Sequence, residues 1–133
     1  MVQEDYVSFE TAKLLKEKGF DNEVKSFYGY DSEFKTWELE EDDRWDTPNN
    51  WGSYYCSAPT LQMAMKWLRE VHNIVICTCA YYSDDPHELS HRNNKPYWKI
   101  RIMNHIYSRD YDSFNTYEDA CESAIKYCLE NLI

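Results

Sequence analysis

The side chains best suited to chemistry sit in one short stretch. Cys77 and Cys79 are followed by His87 and His91, two thiols and two imidazoles within a span of 15 residues. Zinc asks for such a donor set in a tetrahedral site. The spacing argues the other way. Structural zinc sites usually take two cysteines around a turn, whereas Cys-x-Cys on a strand puts both thiols on one face, about 7 Å apart. Buried, reduced cysteine is the plainer expectation. Asp84, Asp85 and Glu88 lie beside the same histidines. A histidine next to carboxylates can exchange protons with a substrate, yet the same composition describes a solvated loop. The chain has no nucleophile elbow, phosphate loop or dinucleotide fingerprint. No catalytic residue, metal ligand or cofactor is therefore assigned, and a small enzyme or metal-binding protein using Cys77–His91 is the alternative reading.

Five cysteines, Cys56, Cys77, Cys79, Cys121 and Cys128, are an odd number without the spacing of a disulfide framework. All but Cys56 fall on apolar faces in the sequence pattern. The opening MVQEDYVSFE has neither a basic start nor an apolar core, so no export signal is expected. Reduced thiols in the cytoplasm follow from both. No apolar run approaches the roughly 18–20 residues that span a bilayer, so no membrane partner is expected.

Charge supplies the second candidate site. The formal net charge is −10, and residues 31–46 hold eight acids and two bases, a net −6. Aromatics follow at once: Trp45, Trp51, Tyr54 and Tyr55. Glu40, Glu41, Asp42, Asp43, Trp45 and Trp51 form a candidate partner surface. Tryptophans give rigid anchors and carboxylates steer an approaching basic protein surface. The same residues would also serve as a solvated edge, with the aromatics pinning a loop to the body. A phosphate backbone is repelled by such a surface, so no nucleic acid is expected as partner.

These residues need elements to hold them. The clearest is the helix over Thr60–His72, TLQMAMKWLREVH. Leu61, Ala64, Met65, Trp67, Leu68 and Val71 fall within an arc of roughly 160°. Thr60 caps it and Pro59 blocks extension backwards. Ser8 caps an earlier helix from Phe9 to Lys18, closed by Gly19 in a left-handed conformation with Phe20 folding back. Glu23–Glu40 reads as a β-hairpin turning near Asp31-Ser32, and Glu41–Ser57 as irregular chain. After the central helix, Ile74–Tyr82 is a strand with apolar groups on both faces, as an interior strand would have. Ser83–Lys95 reads as a polar loop, Tyr97–Asn104 as an alternating strand, and part of Ile106–Phe114 as a short third one. Thr116 caps a last helix, Tyr117–Asn131.

Three blocks, Ser8–Phe20 (SFETAKLLKEKGF), Ala58–Val71 (APTLQMAMKWLREV) and Tyr117–Leu132 (YEDACESAIKYCLENL), resemble small uncharacterised proteins of gut Bacteroides-type bacteria and their phages or prophages. The resemblance covers about a third of the chain, all of it helix, and implies a bacterial or phage-encoded cytoplasmic protein of mobile-element type. It transfers no site residue, because the family has no established activity.

The expected architecture is α+β: one domain over residues 1–133, about three helices on an antiparallel sheet of two hairpins, in the order α-ββ-α-ββ(β)-α. The expected function is a phage-like, non-enzymatic protein-interaction module with an acidic aromatic surface.

Overall fold

The computed structural model describes residues 5–133. Helix α1 (Phe9–Glu17) starts at Ser8, whose hydroxyl accepts from the Thr11 N–H at 3.2 Å. It ends at Gly19, which takes φ +88°. The Gly19 N–H donates to Lys16 O and the Phe20 N–H to Leu15 O, so two carbonyls that a helix end leaves unpaired are satisfied. The Phe20 ring turns back into the core, 2% exposed.

Strand β1 (Val24–Asp31) and strand β2 (Thr36–Asp46) form the expected antiparallel hairpin. Here the structure departs from the sequence reading. Glu41–Ser57 is not irregular throughout: β2 continues through Asp46, a single 3-10 turn follows at Pro48–Asn50, and strand β3 (Tyr55–Ser57) pairs with the other edge of β1. Most of β2 is exposed, so no alternation of apolar residues marks it. Its hydrogen-bond ladder to β1 holds it, as the backbone can do for any side chain but proline. The register slips once. Ser26 pairs with Glu41 and Val24 with Asp46, so Asp42–Trp45 bulge out of the ladder.

Helix α2 (Leu61–His72) is capped by Thr60, whose hydroxyl accepts from the Met63 N–H, and closed by Asn73 at φ 56°. The Leu61 N–H, which no helix turn can serve, donates to Asp5 O. Leu61, Ala64, Met65, Trp67 and Leu68 are buried as expected, but Val71 is 59% exposed. Val71 lies inside the predicted arc, between Trp67 and Ala64, but in the last turn of the helix, where its side chain stays in solvent.

Strand β4 (Val75–Tyr81), helix α3 (Pro86–His91), strand β5 (Tyr97–Met103), strand β6 (Ser108–Phe114) and helix α4 (Tyr117–Asn131) complete the chain. Two expectations are corrected here. The polar loop contains α3, with Asp85 as its cap and Pro86 in its first turn. That helix buries nothing, so it has no apolar stripe to betray it. And β4 is an edge strand, not an interior one: the sheet order is β4-β5-β6.

Among the described residues the fold is thus α+β with four helices and two separate three-stranded antiparallel sheets, β2-β1-β3 and β4-β5-β6. Helix α4 joins them. It packs on α1, α2 and one face of the second sheet. Its buried stripe, Ala120, Cys121, Ala124, Ile125, Cys128 and Leu129, belongs to the same apolar cluster as Leu15, Val24, Leu68 and Ile102. A second tie is polar. Glu122 Oε1 accepts from the Ser8 N–H at 3.1 Å and from the Thr11 hydroxyl at 2.6 Å, placing a carboxylate at the N-terminus of α1, where the helix dipole favours it.

Candidate functional site

The β1–β2 hairpin carries the candidate partner surface, and the pairing decides which residues share a face. Phe27 pairs with Glu40 and Gly29 with Glu38, so these four point to one side. Ser26, Tyr28 and Tyr30 pair with Glu41, Leu39 and Trp37 on the other, the side that α1 covers. Phe9 of α1 stacks on Trp37 at 4.6 Å and meets Tyr28 edge-on at 5.6 Å. Glu41 therefore points to the α1 side of the hairpin, where it stays exposed and its carboxylate accepts from the Tyr6 hydroxyl at 3.2 Å.

The outward face brings together three of the six predicted residues. Glu40 reaches across Gly29: a β-carbon there would stand 2.9 Å from its Oε2. Trp51 meets Phe27 at 5.1 Å and Tyr55 at 5.4 Å, both edge-on, in an aromatic cluster on that face. Trp45 stands beyond it under the Lys25 ammonium, 5.2 Å from the ring centre. Trp45 is 55% and Trp51 39% exposed. Asp42 and Asp43 sit in the bulge between the faces, and the Asp42 carboxylate accepts from the Arg44 N–H at 3.3 Å. Glu41 is the member that the structure separates from the rest.

The loop behind this surface is pinned and exposed at once. Pro48 is buried. The Asn49 side chain donates to Phe20 O at 2.8 Å and accepts from the Ser57 N–H at 2.7 Å. Lys16 Nζ donates to Gly52 O and Tyr55 O, both at 2.6 Å. The loop is fixed through small and polar groups, which leaves its rings half in solvent. Two further exposed apolar residues of the same arm, Phe34 at the hairpin tip and Leu39, were not among the predicted surface residues, and Tyr54, named in the aromatic stretch, is exposed with them. The signal for Phe34 was its place in the turn, where no neighbouring element can cover it.

The second candidate region does not assemble as a four-ligand site. Cys77 and Cys79 lie on the uncovered face of the second sheet, opposite Arg101 and Lys99 respectively. Both are exposed, which corrects the expectation of an apolar setting, while Cys56, expected to be the exception, is buried. His87 and His91 are exposed on α3. Among the described residues no three or more His, Cys, Asp or Glu side chains come close enough to hold one metal ion.

Glu88 is the acid of α3 that turns inward. It accepts hydrogen bonds from the Tyr97 hydroxyl and, at 2.8 Å, from the Ser83 hydroxyl. These bonds lower its carboxyl below the usual range, and the same contact raises the Tyr97 hydroxyl. The Arg92 guanidinium lies 3.6 Å from the centre of the Tyr97 ring and donates to Pro96 O at 2.8 Å. One carboxylate oxygen thus ties α3 to Tyr97 of β5 and the other ties it to Ser83 in the connection from β4, so both take part in contacts that hold α3 in place. A cleft of about 330 Å³ between α1 and the first sheet, lined by Phe9, Lys13, Trp37 and Cys56 among others, is a further concavity that the sequence did not announce.

Comparison with protein-family models, with curated proteins and with solved structures finds no match. Among the described residues no helix is long and apolar enough to cross a membrane.

Proposed function

We propose that this protein is a non-enzymatic interaction module that presents its β1–β2 arm to a basic protein surface. The observation that carries the reading is the free edge of β2. Among the described residues this strand is hydrogen-bonded on one side only, to β1, with regular pairing over Thr36–Glu41 before the bulge. A long unpaired edge offers a row of backbone donors and acceptors, and such edges either are blunted or pair with another chain. Here the blunting is of one sign. Glu38, Glu40, Glu41, Asp42, Asp43 and Asp46 all belong to the strand, with Arg44 as its single base. That charge repels a second copy of the same edge and attracts an extended segment rich in lysine and arginine. Strand addition would supply affinity through the main chain, while Trp45 and Trp51 would supply anchors and the acids on-rate.

The resemblance of the three helical blocks supports an accessory role in a phage or mobile element within a bacterial cytoplasm. The five unpaired cysteines fit a reducing compartment.

The test compares wild-type protein with a variant carrying Glu40→Gln, Glu41→Gln, Asp42→Asn and Asp43→Asn, and with Glu40→Pro. Partners are captured from bacterial lysate at graded salt and quantified by mass spectrometry. The charge variant is expected to fold and to lose the basic proteins that wild type captures, and wild-type capture is expected to fall as salt rises. An unchanged partner set in both variants at every salt concentration refutes the arm as the interface.

A further inference from the structure

We propose that Cys77 and Cys79 form a two-thiolate site for monovalent copper on the open face of the second sheet. The proposal is independent of the interaction surface described above. Helix α4 covers the other face of this sheet: Thr78 Oγ1 stands 3.6 Å from Cys121 Sγ, and Trp98 meets Tyr117 edge-on at 5.3 Å. The strand alternation then sends Cys77 and Cys79 to the face opposite α4, where both are exposed. They line a depression of about 270 Å³ together with Lys99, Arg101, the thioether-bearing Met103 and Asp110, whose carboxylate is taken up by Arg101.

Spacing selects among the things two thiols can do. Same-face neighbours on a strand stand about 7 Å apart. Disulfides join α-carbons usually no more than about 6.8 Å apart, so the pair is set at the wide limit for an S–S bond. An ion bridging the two sulfurs asks only that the side chains lean toward one another, which rotation about their χ1 bonds allows without moving the backbone. Zinc wants four ligands, and no third His, Cys, Asp or Glu stands close enough among the described residues. Monovalent copper has a filled d shell, accepts two thiolates in a near-linear arrangement, and is the ion that soft sulfur ligands select. Met103 lies diagonally across from Cys77, since its register partner is Val75.

Charge favours the same ion. Binding replaces two S–H bonds by two S–Cu bonds and releases both protons to solvent. Copper stays at +1 and no electron moves. The resulting centre carries one negative charge. Lys99 and Arg101 are the register partners of Cys79 and Cys77 and offset it. Arg101 is already engaged by Asp110, at 2.6 and 3.1 Å. Lys99 has no ion-pair partner among the described residues and is the cation left for the centre.

The experiment is an anaerobic titration of the reduced protein with Cu(I) against a chromophoric Cu(I) chelator, with Zn(II) titrated in parallel. Wild type is expected to withhold one copper per chain and no zinc. Cys77→Ser and Cys79→Ser are each expected to abolish retention with unchanged circular dichroism, because both side chains are exposed. Lys99→Glu is expected to keep the stoichiometry and weaken retention about tenfold, the effect of reversing one charge a few ångströms from the ion in a water-like dielectric. The buried Cys56, Cys121 and Cys128 serve as internal controls. Copper retained by the Cys77→Ser and Cys79→Ser double variant, or zinc withheld as firmly as copper, overturns the proposal.

Discussion

Among the residues, the cysteines separate most sharply, and burial is the cause. Cys121 and Cys128 lie on the buried stripe of α4, and Cys56 is buried on β3. Loss of hydration pushes the Cys128 thiol up from 9.0 to about 12 and raises Cys121 and Cys56 as well. Cys77 and Cys79 face water. In a thiol-reactive assay on native protein, two thiols are therefore expected to react promptly and three only after denaturation. Prompt reaction of a single thiol, or of all five, would contradict this arrangement. The sign of the pH effect follows. Between about pH 9 and 12 folded Cys128 keeps a proton that the unfolded chain has lost, so stability is present below the unfolded value and falls as pH rises through this window. Cys128→Ala is expected to flatten that alkaline loss in urea melts recorded at successive pH values.

At the scale of elements, helix α2 shows how a stripe read from spacing meets the packing it receives. Leu68 is fully buried, while Val71, one turn on and nominally on the same stripe, is 59% exposed. Trp67 is held between Phe20 at 5.5 Å and His72 at 4.7 Å, whereas Val71, on the same side but in the last turn, stays in solvent. Leu68→Ala should cost about 2–5 kcal/mol in chemical denaturation, the range for truncating a packed leucine. Val71→Ala should cost about 0.5 kcal/mol or less, as for a surface change. Equal costs at the two positions would mean that the burial is not as described. The hairpin behaves oppositely. Its ladder is backbone-driven, so strand formation through Glu41–Asp46 left no trace in the pattern of side chains.

At the scale of the whole molecule, the cations are dispersed. Lys126 pairs with Glu10 at 2.8 Å, Arg101 with Asp110, Lys18 donates to Ile133 O at 2.9 Å, and Lys16 and Arg92 hold backbone carbonyls. Each of these five secures a different junction. With a net charge of −10, duplex DNA and RNA are expected not to bind at physiological salt in an anisotropy titration. A salt-sensitive complex of micromolar or tighter affinity would refute that.

What the sequence determined by itself is local. Ser8, Thr60 and Thr116 cap their helices and Gly19 closes α1, because a cap is a contact between residues a few positions apart. The Tyr97–Asn104 alternation placed Ile100 and Ile102 inward because a strand has a period of two. The acids and tryptophans of the candidate surface were also visible as a run of one charge followed by rings. Tertiary structure decided the rest. Strand pairing put Glu40 on the outward face and Glu41 on the α1 side, since adjacent residues of a strand point to opposite sides. The side on which α4 packs decided that Cys77 and Cys79 meet water, though the apolar groups on both faces of β4 read as an interior strand. Which face a strand buries depends on where a helix far along the chain comes to rest, and that is a property of the packed molecule.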